Sequence, residues 1–313
     1  MKPRILLTGK SGQVGAELAT VLPRLGEVIA LDHQQLDLSK PDDIRRTIQE
    51  IRPLLIVNAA AYTAVDQAEK EEAIAQAINA DAPALMAEEA KKIGAGLLHY
   101  STDYVFDGSK QVPYDEDDQP NPISVYGKTK LAGEQAIRDA GVPHLIFRTA
   151  WVYGTRGRNF LLTILRLATQ REELRIVNDQ IGAPTWCREI ARGTASVLGR
   201  LADERRGALT LAEARGVYHM SAAGVTTWYD FAQAILGEAS HAPPNLPWLA
   251  AATGGRALIA NRIRPITTAE YPTLARRPAY SVLSNSRLAR RFGIQLSDWR
   301  TQLHSAVTDI QVQ

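Results

Sequence analysis

A glycine-rich turn between a short apolar strand and a helix is the feature that most constrains the fold of this chain. Arg4–Thr8 has the pattern of a buried strand, residues 9–15 follow with the spacing Gly-x-x-Gly-x-x-Gly, and a helical stretch continues to Leu25. Glycines let the backbone approach a pyrophosphate, and the N-terminus of the next helix presents free N–H groups to it. Asp32 ends the next strand, where an acid bonds adenosine ribose hydroxyls. The order strand, turn, helix therefore predicts a dinucleotide-binding unit.

The remainder of the first half alternates between strand and helix patterns. The predicted strands are Glu27–Leu31, 54–57, 96–101 and 144–148, and the predicted helices are Pro41–Ile51, with Ser39 as its N-cap, 73–93 and 126–140. Such alternation is typical of a parallel sheet covered by helices on both faces, with ligands beyond the carboxyl ends of its strands. We therefore predict an α/β fold built on a Rossmann doubly wound parallel sheet.

The second half is less regular and indicates a smaller C-terminal α/β domain for the substrate. Its predicted helices are 186–201, 227–238 and 297–307, and 242–264 reads as loop or linker. We place the NAD(P)-binding Rossmann domain at 1–150, completed by part of 187–215. The substrate domain then comprises 151–186 and 216–313.

Composition excludes several classes of function. The formal net charge is +2, which gives no electrostatic case for binding nucleic acid. Cys187 is the one cysteine, so no internal disulfide forms, which fits a reducing compartment and a cytoplasmic location. The apolar run Ile5-Leu6-Leu7 meets Gly9 too early for a signal peptide, and no apolar run approaches the length of a membrane span.

A tyrosine and a lysine one helical turn apart suggest acid–base chemistry. Tyr126 and Lys130 lie four residues apart in a predicted helix, which puts both side chains on one face. A free phenol has a pKa of about 10, and a nearby ammonium lowers it toward neutral pH. The pair is a candidate general acid and base if the chain also binds a cofactor and a substrate.

Several motifs together resemble the extended short-chain dehydrogenases/reductases, and within them the dTDP-4-dehydrorhamnose reductase family. The matching stretches are 57–66 (VNAAAYTAVD), 99–106 (HYSTDYVF), 125–134 (VYGKTKLAGE), 147–153 (FRTAWVY), 178–185 (NDQIGAPT) and 226–231 (TTWYDF). The resemblance covers nearly the whole chain and is weakest over 245–264. It implies a Rossmann domain, a smaller nucleotide-sugar domain and a small-molecule substrate.

This resemblance implies an oxidoreductase of cell-surface polysaccharide synthesis that reduces the 4-keto group of dTDP-4-dehydro-L-rhamnose to give dTDP-L-rhamnose, with NADPH or NADH. Tyr126 would protonate the oxygen while hydride reaches the carbon from the nicotinamide. Lys130 would lower the pKa of the tyrosine and hold the nicotinamide ribose. Thr102 would bond the sugar oxygen, where the superfamily usually has serine.

The remaining site residues carry over from the family one position at a time. The implied cofactor contacts are Gly9, Gly12, Gln13, Val14, Asp32, Asp37, Leu38, Ala61, Tyr62 and Thr63, besides Tyr126 and Lys130. The implied substrate contacts are Thr102, Asp103, Trp151, Asn178, Asp179 and Gln180, with Arg276 and Arg277 as a second choice at the diphosphate. Family members usually have histidine in place of Tyr62, which weakens a side-chain role there. Asp32 favours NAD and Lys10 favours a ribose phosphate, so the cofactor preference stays open.

A metal site of the family departs from its pattern in this chain. Some members hold magnesium at a dimer interface through three glutamates, of which Glu17 and Glu189 match two, while Arg300 stands at the third. Magnesium takes oxygen ligands, which a guanidinium does not offer. We predict no such metal, with two alternatives: a salt bridge between Arg300 and the glutamates, or a monomeric chain. The choice between monomer and homodimer stays open.

Two alternatives belong to other functional classes. A nucleotide-sugar epimerase or dehydratase would share the fold, but a dehydratase is expected to carry an Asp-Glu pair where Asp103 is followed by Tyr104. A non-catalytic NADP-binding regulatory subunit, like a known relative of the family, would need no Tyr126/Lys130 pair.

Overall fold

A parallel sheet of six strands forms the centre of the first half of the chain. The computed structural model describes residues 2–203, 208–209, 211–243 and 246–308. The strands are β1 (Arg4–Thr8), β2 (Glu27–Leu31), β3 (Leu55–Asn58), β4 (Gly96–Thr102), β5 (His144–Thr149), β6 (Val152–Tyr153), β7 (Glu173–Val177), β8 (Ile181–Gly182), β9 (Thr185–Trp186), β10 (Ala202–Asp203), β11 (Ala208–Leu209), β12 (Gly216–His219), β13 (Thr226–Thr227) and β14 (Arg262–Ile266). The sheet order is β12-β5-β4-β3-β1-β2.

Helices cover this sheet and form most of the remaining structure. They are α1 (Gln13–Val21), α2 (Pro41–Ile51), α3 (Val65–Ala68), α4 (Glu72–Gln76), α5 (Ala82–Ile93), α6 (Val125–Ala140), α7 (Phe160–Ala168), α8 (Cys187–Leu201), α9 (Trp228–His241), α10 (Pro247–Thr253), α11 (Ser286–Phe292) and α12 (Trp299–Thr308). Short 3₁₀ turns span Leu22–Arg24, Asp103–Val105, Ala212–Ala214 and Thr268–Glu270, and a π-helical turn spans Ala77–Asp81. No helix in the described ranges has the length and apolar character needed to cross a bilayer.

The predicted doubly wound parallel sheet is confirmed. The chain leaves β1 for β2 on one side and then crosses to β3 on the other, so β1 and β3 flank the point where the order reverses. Ile5 and Leu7 pack into a core on one face, while Leu6 packs into a second core on the other. This alternation follows from the two-residue period of a strand. Loops that meet beyond the ends of β1 and β3 therefore frame the place where a ligand binds.

A third core lies in the second half of the chain. Residues of α7, α9 and α12 pack together there, among them Leu161, Phe231 and Leu303, all 0–1% exposed. Two small parallel pairs, β6 with β9 and β7 with β14, border this core. It forms the wall that faces the carboxyl ends of the main sheet.

Several local predictions differ from the structure. Lys40 is the N-cap of α2 instead of Ser39, whose hydroxyl donates to Asp37 Oδ1 at 2.7 Å. The helix predicted over 73–93 divides into α4, the π-helical turn and α5. The segment 242–264, predicted as loop or linker, contains α10 and the start of β14, with residues 244–245 outside the described ranges.

The boundary placed at residue 216 is also wrong for the strand that follows it. β12 pairs with β5 and completes the main sheet, although 216–313 was assigned to the substrate domain. Pairing with a neighbour more than sixty residues earlier leaves no local pattern in the sequence. Within 187–215, α8 packs against α1, while residues 204–207 and 210 lie outside the described part of the chain.

Candidate active site

The glycine-rich turn is packed so tightly that side chains are excluded. Gly9 has φ +76°, and a Cβ there would lie 2.8 Å from the Ala60 nitrogen. A Cβ on Gly15 would lie 2.0 Å from the Gly9 oxygen. Gly12 is the N-cap of α1 and has no side chain to bond the first amides of the helix, which Gln13 and Val14 begin. A backbone cradle ending in free helix amides fits a pyrophosphate.

The adenosine end of this predicted cofactor site carries both charges noted in the sequence. Asp32 follows β2 and lies 3.4 Å from Lys10 Nζ, which also donates to Gln35 Oε1 at 2.6 Å. Asp37 accepts hydrogen bonds from the amide and the hydroxyl of Ser39, so its carboxylate shapes its own loop. The side chain of Leu38 is 6% exposed and packs in the core, which leaves its backbone for any ligand contact.

The loop after β3 places Ala61, Tyr62 and Thr63 beside the turn. Tyr62 N–H donates to Asn79 Oδ1 at 2.9 Å, and Asn79 Nδ2 donates back to the Tyr62 carbonyl at 3.1 Å. The Tyr62 hydroxyl donates to Glu71 at 2.5 Å, a bond that raises the pKa of Tyr62 to about 12. Asn79 lies in the π-helical turn and escaped the sequence analysis, because a single buried amide in an alanine-rich helix gives no pattern.

The end of β4 and the start of α6 bring the predicted catalytic groups together. Ser124 Oγ accepts from the Gly127 amide at 3.1 Å and starts α6 there, and a Cβ on Gly127 would lie 2.2 Å from the Tyr104 oxygen. A glycine one residue after Tyr126 thus lets the helix approach the loop after β4. Burial raises the pKa of Tyr126 to about 12, the hydrogen bond with Thr102 acts in the opposite direction, and Asp103 adds to the rise.

Thr102 and Asp103 form a buried pair beside the tyrosine. The Thr102 hydroxyl donates to Asp103 Oδ1 at 3.0 Å and accepts from the Tyr104 amide at 3.2 Å. Burial raises the pKa of Asp103 to about 6, and hydrogen bonds with Ser281 and Thr102 oppose that rise. Both side chains therefore lie where the sequence analysis put them, at the carboxyl end of β4.

Lys130 is buried and faces the sheet. Its ammonium donates to the Tyr100 carbonyl at 2.6 Å and lies 3.1 Å from His99 Nε2. Burial lowers the pKa of Lys130 to about 8, and Glu134 opposes this change. The sequence predicts that Lys130 lowers the pKa of Tyr126. In the structure this pKa is raised instead, because burial dominates at the phenol, while the lysine hydrogen-bonds with Tyr100 and His99.

A cavity of about 830 Å³ opens between α7, β7 and the loop 271–277. Trp151 has φ +46°, and its ring stacks on Trp228, which lines this cavity, with centroids 3.5 Å apart and planes 5° apart. A Cβ on Gly182 would lie 2.4 Å from the Trp151 ring, so glycine is required under the indole. A left-handed tryptophan held by stacking is a strained residue of the kind found at functional sites.

The polar run 178–180 bonds to the protein itself. Asn178 Oδ1 accepts from Thr227 Oγ1 at 2.9 Å, and Asp179 accepts from the Thr268 amide at 2.9 Å. Gln180 lines the cavity, where its Oε1 accepts from Trp228 Nε1 at 3.1 Å. These residues therefore support the cavity wall. The substrate contact expected of Asn178 and Gln180 stays a prediction.

Arginines line part of the cavity. Arg277 lines it and forms a bidentate pair with Asp66, at 2.7 and 3.2 Å, whereas Arg276 is exposed outside the lining. Arg171 and Arg175 also line it and were missed by the sequence analysis. The alternation of polar and apolar residues from Glu173 to Ile176 is the sequence signal that would have placed Arg175 on an open face.

The two glutamates of the family's metal site form ion pairs within the chain. Glu17 is 2.9 Å from Arg188, and Glu189 is 3.1 Å from Arg192. The Arg300 guanidinium instead lies over the Trp299 ring at 4.2 Å. Within the described part of the chain, these glutamates therefore pair with Arg188 and Arg192 and not with Arg300.

Comparison with known proteins identifies the family. The chain matches the family model described as the RmlD substrate binding domain over residues 1–312. The chain belongs to this family. A dTDP-4-dehydrorhamnose reductase of Burkholderia thailandensis is 48% identical over 311 residues, 99% of this chain and 100% of that protein. The dTDP-4-dehydrorhamnose reductase of Escherichia coli K12 is 43% identical over 310 residues, 98% and 97% of the two chains.

A solved structure of the RmlD family carries a cofactor. The dTDP-4-dehydrorhamnose reductase of Bacillus anthracis in complex with NADP superposes with a TM-score of 0.85 at 34% identity, covering 98% of this chain and 99% of that one. The family members compared therefore match this chain along its whole length, including the turn, the end of β4 and α6.

Proposed function

We propose that the protein reduces the 4-keto group of dTDP-4-dehydro-L-rhamnose to dTDP-L-rhamnose, with NADPH or NADH as the reductant. The observation that carries the proposal is the position of Tyr126 beside the loop after β4, where its ring lies 5.6 Å from that of Tyr104 and the Tyr104 amide donates to Thr102. Membership of a family whose named relatives are dTDP-4-dehydrorhamnose reductases supports the choice of substrate. A reaction that consumes a nicotinamide cofactor is expected in the cytoplasm.

The cofactor site is proposed from the fit of the turn. Gly9, Gly12 and the first amides of α1 would hold the pyrophosphate, and Asp32 with Lys10 would meet the adenosine ribose. The loop at Ala61 and Thr63 would follow the cofactor toward the nicotinamide. When bound, the nicotinamide supplies the hydride that reaches the carbonyl carbon.

The residues of the chain supply the proton and the alignment. With a pKa of about 12, Tyr126 holds its proton at neutral pH and delivers it to the ketone oxygen as that oxygen gains charge. Thr102 donates its one hydroxyl hydrogen to Asp103 in this structure, so it would turn that hydrogen to the ketone oxygen when the substrate binds. Lys130, one helical turn beyond the phenol, would hold the nicotinamide ribose.

The cavity is proposed to hold the nucleotide sugar. Its volume of about 830 Å³ lies within the usual range for small-molecule sites. Trp151 and its stacked partner Trp228 would pack against the sugar. Arg171, Arg175 and Arg277 also line the cavity, and guanidinium groups match phosphate oxygens bidentately.

A substitution at the phenol tests the proposal. We expect Tyr126→Phe to lower kcat about 100-fold or more, the usual contribution of a positioned general acid, while the Kd for NADPH changes little. Lys130→Ala should lower kcat and weaken cofactor binding together. Oxidation of NADPH is followed by absorbance with dTDP-4-dehydro-L-rhamnose, and cofactor affinity by fluorescence titration.

The same assay separates the alternatives. An epimerase or dehydratase would turn over nucleotide sugars without net oxidation of NADPH, and a regulatory subunit would bind NADPH and show no turnover. Equal kcat in wild-type protein and in Tyr126→Phe would rule out the proposed proton donor.

A further inference from the structure

A chain of buried polar groups runs from β1 to Lys130 behind the proposed active site. Thr8 Oγ1 donates to Asn58 Oδ1 at 2.7 Å, Asn58 Nδ2 is 3.0 Å from His99 Nδ1, and His99 Nε2 is 3.1 Å from Lys130 Nζ. All four side chains are at most 2% exposed. The mechanism above uses Lys130 and gives His99 no role.

Counting donors and acceptors along this chain fixes the proton of the imidazole. The Ala60 backbone N–H can only donate, and it donates to Asn58 Oδ1 at 3.2 Å, so the amide nitrogen of Asn58 faces His99. That nitrogen is a donor, and His99 Nδ1 must therefore accept. Burial lowers the pKa of His99 well below its usual value, and Lys130 acts in the same direction, so the ring is neutral. Its single proton is then on Nε2 and points at Lys130 Nζ.

This arrangement discriminates between the two forms of the lysine. An ammonium has three N–H donors and no acceptor, so it would set a donor against the Nε2–H of His99. An unprotonated amine accepts that proton with its lone pair and still donates to the Tyr100 carbonyl at 2.6 Å. We propose that His99, with its tautomer fixed by Asn58, is a positioning residue that favours the amine of Lys130 over the ammonium.

Other groups around Lys130 also act on its protonation, and Glu134 acts against His99. On α6, Glu134 favours the ammonium, and its carboxylate is shared with Arg148 of β5 at 2.7 Å. Tyr126 is the second titratable group of α6 near the lysine and is neutral at neutral pH. On β4, the lysine meets His99 and the Tyr100 carbonyl. The lysine therefore lies between a carboxylate that holds its proton and an imidazole that disfavours it.

The consequence for catalysis rests on the proposed function, whereas the tautomer does not. In the proposed function the ammonium of Lys130 holds the nicotinamide ribose, so loss of that ammonium lowers activity on the alkaline side. By favouring the amine, His99 lowers the pH at which this loss occurs, and Lys130 exchanges its proton close to neutral pH instead of remaining a permanent cation.

The tautomer is measured directly by long-range ¹H–¹⁵N correlation of imidazole signals in protein labelled with ¹⁵N-histidine. The chain has 6 histidines, and loss of one signal in His99→Gln identifies His99. If that variant does not fold, the other five are assigned through their own substitutions. We expect a neutral ring protonated on Nε2. A ring protonated on Nδ1, or a cationic ring at pH 7, overturns the proposal without any measurement of activity.

A switch of the tautomer tests the effect on the lysine. In Asn58→Asp one carboxylate oxygen still accepts from Ala60 and the other accepts from His99 Nδ1, which moves the ring proton and frees Nε2 to accept from the ammonium. We expect the alkaline limb of kcat to move up by about one pH unit or more, the usual effect of stabilising a charged lysine. The ¹⁵N spectrum should report protonation on Nδ1.

Thr8→Val is the matched control. It removes a hydrogen bond to the same Asn58 oxygen and leaves the Ala60 contact that fixes the amide, so the ring should stay protonated on Nε2 and the alkaline limb should not move. An alkaline limb that is unchanged in Asn58→Asp, or that moves equally in Thr8→Val, contradicts the proposal. If Asn58→Asp does not fold, the wild-type spectrum alone decides. If the protein does not oxidise NADPH with the proposed substrate, the spectra still test the tautomer.

Discussion

At the scale of single residues, the pKa values of this site are set mainly by burial. Asp103 is 2% exposed, and Lys130 is 1% exposed. Burial penalises the charged form, which raises the pKa of an acid and lowers that of a base. The carboxyl group and the ammonium group therefore both titrate nearer to neutral pH than they would in water, at about 6 and about 8.

Asp103 should make the protein less stable as the pH rises. Its pKa rises from 3.8 unfolded to about 6 folded, so the folded state binds the proton more tightly. Its stabilising contribution is complete below pH 4 and is lost as the pH rises through 6. Asp103→Asn should remove this dependence and raise the free energy of unfolding at pH 7 by about 2–3 kcal/mol. Urea unfolding at pH 4.5 and pH 7 measures it. An equal change at both pH values would contradict the prediction.

Lys10 should determine how well the protein accepts a ribose phosphate. The lysine neutralises Asp32 at 3.4 Å, and without it the carboxylate would repel a 2′-phosphate. We expect Lys10→Ala to weaken NADPH binding about tenfold, the loss of one charge-assisted hydrogen bond, and NADH binding much less. Asp32→Asn, the matched variant, should weaken NADH more than NADPH. Fluorescence titrations of both cofactors distinguish this from a general loss, in which the two Kd values rise together.

At the scale of elements, a buried ion pair fastens the catalytic helix to the sheet. Arg148 on β5 and Glu134 on α6 are bonded by two pairs of atoms at 2.7 and 2.9 Å, and their side chains are 2% and 1% exposed. The guanidinium also lies over the Phe106 ring at 5.2 Å. Because Glu134 is one helical turn beyond Lys130, this pair fixes the helix that carries both Tyr126 and Lys130.

Removing one partner should therefore affect both stability and chemistry. Glu134→Gln leaves a buried arginine unpaired and should lower the free energy of unfolding by about 3–5 kcal/mol. It also removes the charge that favours the Lys130 ammonium, so the alkaline limb of kcat should move to lower pH. The double variant Glu134→Gln/Arg148→Met should regain much of the stability, and the limb should remain low. Urea unfolding and a pH–rate profile separate the two effects. If the alkaline limb of kcat stays at the wild-type pH in both variants, the prediction about Glu134 and Lys130 is wrong.

The sequence predicts helices and strands well where the hydrophobic pattern is strong, and poorly where contacts between distant residues determine the structure. The bounds of β1, β2 and α2 agree residue by residue, because apolar runs next to glycine or proline leave little freedom. The π-helical turn at Ala77–Asp81 was missed, since its purpose is to turn Asn79 toward Tyr62 and nothing local encodes that partner. β12 was missed for the same reason. The turn, Thr102 and Tyr126 were predicted from motifs, whereas Asn58, Asn79 and His99 emerged only from their buried contacts.

At the scale of the whole molecule, the site lies between the main sheet and the core of α7, α9 and α12. Asn159, the N-cap of α7, donates to Gln13 Oε1 of the glycine-rich turn at 2.9 Å, a contact across 146 positions of sequence. Asp66 and Arg277 join across a still greater separation. Such links are invisible to local patterns, which is why the sequence predicted both halves of the site and not their connection.

The link between Asn159 and Gln13 should couple the cavity wall to the cofactor turn. Asn159 Oδ1 caps α7 by accepting from Leu162 at 3.0 Å, while its amide nitrogen reaches the turn. Asn159→Ser keeps a capping oxygen but removes the amide donor, which also bonds the Gly154 and Arg156 carbonyls at 2.8 and 3.0 Å, so the free energy of unfolding should fall by about 1–3 kcal/mol. We expect the Kd for NADPH to rise about threefold to tenfold, the loss of one neutral hydrogen bond.

Thr227→Ser supplies the comparison, because Thr227 also caps a helix, α9, beside the same cavity. Its hydroxyl bonds Asn178 and Asp230 and not the glycine-rich turn. Its NADPH affinity should match the wild type. Thermal unfolding with and without NADPH reads both variants, since stabilisation by a ligand grows with the logarithm of its concentration over Kd. If NADPH stabilises Asn159→Ser against thermal unfolding as strongly as it stabilises Thr227→Ser, the prediction is wrong. The contact between Asn159 and Gln13 then holds the loop after β6 and does not affect cofactor binding.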